Sequence, residues 1–105
     1  MTQLQRISKD TVALHFPARM DETTNPNTRE VLDGVLAGDD NNIVLEFSKV
    51  EYLNSSAVGA LLAFVANIRK TRRTCRPGSI SEPAKKIMDA MKILPHLTVA
   101  PSHMG

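Results

Sequence analysis

One cysteine, no tryptophan, one tyrosine and three phenylalanines set limits on what this chain can be. With Cys75 alone, no internal disulfide forms, which fits a reducing compartment. So few aromatic rings give no stacking surface for single-stranded nucleic acid. Long hydrophobic runs are missing as well. The longest mostly apolar stretch, Ala57 to Ala66, falls far short of the ~20 residues that span a bilayer. Met1 to Asp10 lacks a basic segment followed by an apolar one, so no secretion signal is expected. A soluble, cytoplasmic protein without direct membrane insertion is the expectation. Charge of one sign is also lacking: the net value is +2, too small to imply a polyanionic partner. His15, His96 and His103 are scattered without metal-ligand spacing. No phosphate-binding loop, nucleophile elbow or dinucleotide fingerprint occurs. Neither a metal, a cofactor nor a catalytic residue is expected.

What is present suits a single domain over residues 1–105, with 42% hydrophobic and 23% charged residues. Leu4 and Ile7 precede a possible turn at Ser8-Lys9-Asp10. Val12, Leu14 and Phe16 then alternate with Ala13 and His15, as a half-buried strand does. Arg19 to Asn27 reads as a polar loop. Asn25-Pro26 resembles a helix start, with Asn as cap and Pro in the first turn. Val31, Leu32, Val35 and Leu36 supply an apolar stripe, and Gly38 a stop through left-handed dihedrals. Ile43-Val44-Leu45-Glu46-Phe47 is nearly continuous apolar sequence, the mark of a central parallel strand. Glu46 within it reads as an outward-facing or capped charge.

Asn54 opens the clearest helix. Asn54 or Ser55 is its cap, and Val58, Leu61, Leu62, Val65 and Ile68 are its buried stripe. The basic run Arg69, Lys70, Arg72, Arg73 and Arg76 reads as a solvated helix end rather than a nucleic-acid patch. Thr74 to Ile80 is a strand demoted to an edge by Pro77-Gly78. Ser81-Glu82-Pro83 starts another helix, with Ile87, Met88 and Met91 as its stripe. Pro95 breaks that helix, Leu97-Thr98-Val99 is a short last strand, and Pro101 to Gly105 is a loose tail. Strands alternating with helices predict a mostly parallel sheet.

The segment from Ile43 through Asn54-Ser55-Ser56-Ala57-Val58-Gly59 to Leu62 resembles the STAS domain of anti-sigma factor antagonists. Leu14 to Asp21 and Ser81 to Met88 resemble two further stretches of the same family. The resemblance implies an α/β fold: a mixed, mostly parallel sheet with an N-terminal β-hairpin and about three helices packed on it. It also implies a regulator, not an enzyme. Such a protein binds an anti-sigma factor that is itself a serine kinase, and a serine phosphatase is a further possible partner. The phosphorylation target carried over is Ser55, and the partner-binding positions are Asp21, Asn54, Ser55, Ser56, Ala57 and Val58. The chain departs from the family at Asn54, where Asp is usual, and at Ala57, where Gly is usual.

Each of these has a plainer reading. Asn54-Ser55-Ser56 is also a good helix cap and nothing more, and Asp21 a solvated turn residue. A STAS domain can instead be a constitutive interaction module without phosphorylation, as in a phospholipid-transport complex or a stress-signalling assembly. A third reading takes Cys75, flanked by basic residues, as a reactive thiol. By itself the chain is expected to be a monomer or a weak dimer.

Overall fold

The computed structural model describes residues 1–101. His103 and the rest of the expected loose tail beyond Pro101 lie outside the described residues. The first two strands, β1 (Gln3–Ser8) and β2 (Thr11–His15), form the expected antiparallel hairpin, with Leu4 opposite Leu14. Ser8 Oγ accepts a bond from the Asp10 backbone N–H in the turn, as turn serines do. A short β3 (Arg19–Met20) leads to helix α1 (Asn25–Ala37). Next come β4 (Asn42–Phe47), β5 (Tyr52–Leu53) and helix α2 (Ser55–Arg69). Then follow β6 (Thr74–Ile80), helix α3 (Glu82–Met91) and a 3₁₀ turn at Leu94–Leu97.

The main sheet has the order β1-β2-β4-β6, with β4 parallel to both of its neighbours. Ile43, Leu45 and Phe47 of β4 are fully buried, whereas Asn42, Val44 and Glu46 are half-buried. The helices pack on the first of these faces. There Val12, Leu14 and Phe16 join Leu32, Leu61, Val65 and Met88 in one hydrophobic cluster. Phe16 and Phe47 stack at 4.9 Å between ring centroids. Burying a side chain of this size contributes about 1.5–3 kcal/mol, so the cluster accounts for the fold without staples.

Pro77 sits where it does no harm, because β6 is an edge strand. The ladder shifts register between Leu45 and Phe47, so that Gly78 and Ser79 together oppose Glu46. That bulge explains the charge in an apolar strand: Glu46 Oε1 accepts the Ser79 backbone N–H at 2.6 Å. Gly78 leaves room for this contact, since a Cβ there would come within 1.6 Å of that oxygen and displace the Glu46 side chain.

Several elements differ from the sequence reading. Arg19-Met20 is strand rather than loop. It pairs in parallel with Tyr52-Leu53, and Met20 is fully buried. Helix α1 is capped by Thr24, not Asn25, and without a side-chain bond. The Asp21 carbonyl accepts from the N–H groups of Thr24 and Asn25 instead. Gly38 ends α1 in an extended conformation, whereas the left-handed residue is Lys92, which closes α3 ahead of Pro95. Met91 is exposed, outside the α3 stripe. Leu97 belongs to the 3₁₀ turn, and of the expected last strand only Val99 pairs, as a bridge to Cys75.

Arg73 overturns the simple picture of a basic, solvated helix end. It is only 8% exposed. Its guanidinium donates to the carbonyls of Val35 (2.6 Å), Asp40 (2.7 Å) and Leu36 (3.2 Å). Two of these carbonyls belong to the last turn of α1, which carries no basic residue of its own. The cation therefore complements the carboxyl end of a neighbouring helix rather than its own.

Candidate functional site

The β4–β5 connection and β5 deliver the chain to Asn54, whose extended backbone and side chain make it the N-cap of α2. Asn54 Oδ1 accepts from the Ala57 N–H at 3.1 Å. Its Nδ2 donates to Glu22 Oε2 at 2.6 Å. The cap thus works as an Asp would. The carboxylate that Asn54 lacks is brought alongside by Glu22, a residue the sequence reading passed over.

Ser55 is the first residue of α2 and is exposed. Its hydroxyl has no hydrogen-bond partner among the described residues. Ser56 is exposed too, but its Oγ accepts from Asn25 Nδ2 at 2.6 Å. Ala57 and Val58 are 1% and 5% exposed. Expected at the partner surface, they belong instead to the core beneath it, because helical geometry turns these positions toward the sheet. Ala57 in place of a glycine therefore fills the interior and leaves the surface unchanged.

Beyond the serines, α2 carries no charged side chain until Arg69. Its exposed positions are Ser55, Ser56, Gly59, Ala63, Ala66 and Asn67. Gly59 follows Ser55 by four residues, on the same face. A Cβ there would meet nothing within 4 Å. A glycine in a helix interior costs about 0.8–1 kcal/mol relative to alanine, and no packing among the described residues requires it.

Asp21, read as either a partner contact or a solvated turn residue, is 4% exposed. Its carboxylate accepts the Thr23 N–H at 2.9 Å and the Thr23 hydroxyl, and pairs with Arg19 Nε at 2.6 Å. It builds the turn that starts α1. The Thr23 hydroxyl first, and Arg19 second, hold its pKa down at about 2, from an ordinary 3.8. A carboxylate whose pKa is lower in the folded than in the unfolded chain adds stability above the unfolded value, and that stability is lost as pH falls through the folded one. Urea midpoints of the wild type are therefore expected to fall between about pH 4 and pH 2 in a way that Asp21→Asn does not reproduce. Parallel curves for the two proteins would refute this.

Arg19 also lies 4.7 Å over the Tyr52 ring, beside the same corner. Cys75 is fully buried, and burial pushes its thiol up to about 12 despite Arg69. Burial outweighs the basic flank, so the reactive-thiol reading loses its basis. Among the described residues no cluster of His, Cys, Asp or Glu is fit to hold a metal, and no helix is long and apolar enough to cross a membrane.

A hairpin-led, mostly parallel sheet with a serine pair at the head of its central helix defines a small α/β module of the STAS type. The chain belongs to that family: the STAS domain model matches residues 3–104. Solved structures agree in fold. The anti-sigma factor antagonist SpoIIAA in its unphosphorylated form is 18% identical, with a TM-score of 0.72 over 90% of this chain and 84% of that one. The phosphorylated form of SpoIIAA, a Bacillus cell fate determinant, gives 18% and 0.67 over 90% and 86%. An anti-sigma factor antagonist from Mycobacterium paratuberculosis gives 17% and 0.67 over 89% and 78%. A comparison with curated protein sequences finds no match.

Proposed function

We propose that this chain is an anti-sigma factor antagonist: it binds an anti-sigma factor with serine kinase activity and is dismissed when that kinase phosphorylates Ser55. The observation that carries this reading is the free Ser55 hydroxyl at the head of an exposed, uncharged face of α2. Charged residues are depleted at the centre of interfaces, which suits an uncharged face, and Gly59 is otherwise an unexplained cost to the helix. A phosphate on Ser55 adds about −1.5 to −2 charges at pH 7. Helix N–H groups stabilise that anion in the free protein, while a partner surface closing over it would strip its hydration. Both effects oppose binding without a change of fold. The likeness to antagonists of known structure supports this reading at the level of the fold.

The contact surface would comprise Asn54, Ser55, Ser56 and Gly59, with Asp21, Ala57 and Val58 holding it from beneath. The test is incubation with ATP and an anti-sigma kinase recovered by affinity capture on the chain, followed by mass spectrometry of the peptides. One phosphate is expected, on Ser55, and none in Ser55→Ala. An unlabelled Ser55, together with undiminished binding by Ser55→Asp, would sink the switch and leave a constitutive interaction module.

A further inference from the structure

Two adjacent serines stand exposed at the start of α2, and among the described residues only Ser56 has a side-chain hydrogen-bond partner. We infer that Asn25 is a specificity-determining residue that reserves Ser56 and leaves Ser55 as the sole phosphate acceptor. The inference rests on the phosphorylation reading above and adds the element that chooses between neighbouring hydroxyls.

Asn25 is the first residue of α1, 5% exposed, and reaches across to α2. Its Nδ2 donates to Ser56 Oγ at 2.6 Å. Its Oδ1 is buried with no hydrogen-bond partner among the described residues. A buried amide oxygen without a partner is unfavourable and uncommon in native structures. The amide is thus poorly used as a core contact and well used as a hold on Ser56. Rotating the amide by half a turn keeps the hold, since its oxygen would then accept the Ser56 hydroxyl proton.

Phosphoryl transfer needs a free lone pair on the attacking oxygen. The serine Oγ–P bond forms, the bond from the γ-phosphorus of ATP to ADP breaks, and the hydroxyl proton passes to a base of the kinase. On Ser56 one of the two lone pairs is engaged by Asn25 and the hydroxyl is drawn toward α1, so this bond must break before the oxygen can turn to an incoming phosphorus. Ser55 has no such restraint. Asn25→Leu keeps the branched outline of the side chain, with bulkier methyl ends, and deletes the hold. Because Oδ1 accepts from nothing among the described residues, the substitution strands no donor, and the one acceptor that loses its partner, Ser56 Oγ, is exposed to water.

The experiment compares wild type, Ser55→Ala and Ser55→Ala/Asn25→Leu with the captured kinase and ATP, with phosphopeptides quantified by mass spectrometry. Wild type is expected to carry phosphate on Ser55 only, and Ser55→Ala none. The double variant is expected to gain at least a tenfold rise in Ser56 phosphate while melting cooperatively. Labelled Ser55 in wild type with no rise at Ser56 overturns the role of Asn25 and leaves the switch standing. Unlabelled Ser55 in wild type overturns both. A kinase-free measurement guards against loss of fold. In ¹⁵N–¹H spectra the Asn25 side-chain amide signals should move in Ser56→Ala and stay in Ser55→Ala. The reverse pattern, or no movement, also overturns the inference.

Discussion

Arg73→Ala is expected to lose about 3 kcal/mol of folding stability, although no acidic side chain pairs with this arginine. Hydrogen bonds from a charged donor contribute about 1.5–3 kcal/mol each when buried, and they are not additive. Here three carbonyls lose the guanidinium at once, two of them at the end of α1, although Val35 keeps the Gly38 N–H. For a domain whose total is about 5–15 kcal/mol, that is a large fraction. It corresponds to a Tm lowered by roughly 15 °C. Arg73→Lys is expected to recover less than half of the loss, because a compact ammonium cannot span the three oxygens that a planar fork reaches. Urea unfolding of the three proteins measures this. A loss below about 0.5 kcal/mol, the usual limit for surface substitutions, would show that the cap is idle.

Ser55→Asp is expected to weaken binding to the anti-sigma factor roughly 100-fold, about 3 kcal/mol. The charge would enter an interface built on uncharged positions and sit near Glu22. Folding should barely change, since an acidic residue in the first turn suits the helix dipole. Gly59→Arg, one turn further along the same face, provides a second arm. Open space surrounds that position, so the fold should hold and even gain up to about 0.8 kcal/mol in helix propensity. Binding should nevertheless fall, because the long side chain stands in the docking face. Calorimetric titration of each variant decides the outcome. If Gly59→Arg blocks binding and Ser55→Asp does not, the face is right and the switch is wrong. If neither matters, the partner docks elsewhere.

The hairpin, the central β4 and the stripes of α1 and α2 were legible in the sequence because burial imposes a period on them. Two-residue strands impose none, so β3 and β5 went unseen until their pairing placed Met20 in the core. The start of α2 was legible as well, since capping chemistry is local: Asn54 and Ala57 are three residues apart. The other half of the site was not, because it is made across distance. Glu22 meets Asn54 and Asn25 meets Ser56 over more than thirty residues. No spacing rule records such contacts. Arg73 failed for the same reason: its neighbours in sequence are solvated, and its partners lie on another helix. Asp21 could be placed on a turn from its type, but not inside one.

The two ends of α1 are each tied to the flanks of α2, by Asn25 at one end and Arg73 at the other. Under the proposed switch, a helix pair held this way would confine the effect of a phosphate on Ser55 to the face that carries it. In a population of such molecules, each would be either competent or masked, and the active pool would be a simple count of unmarked chains. The response would then be proportional, one chain per phosphate. Any threshold or memory would have to come from the enzymes that write and erase the mark.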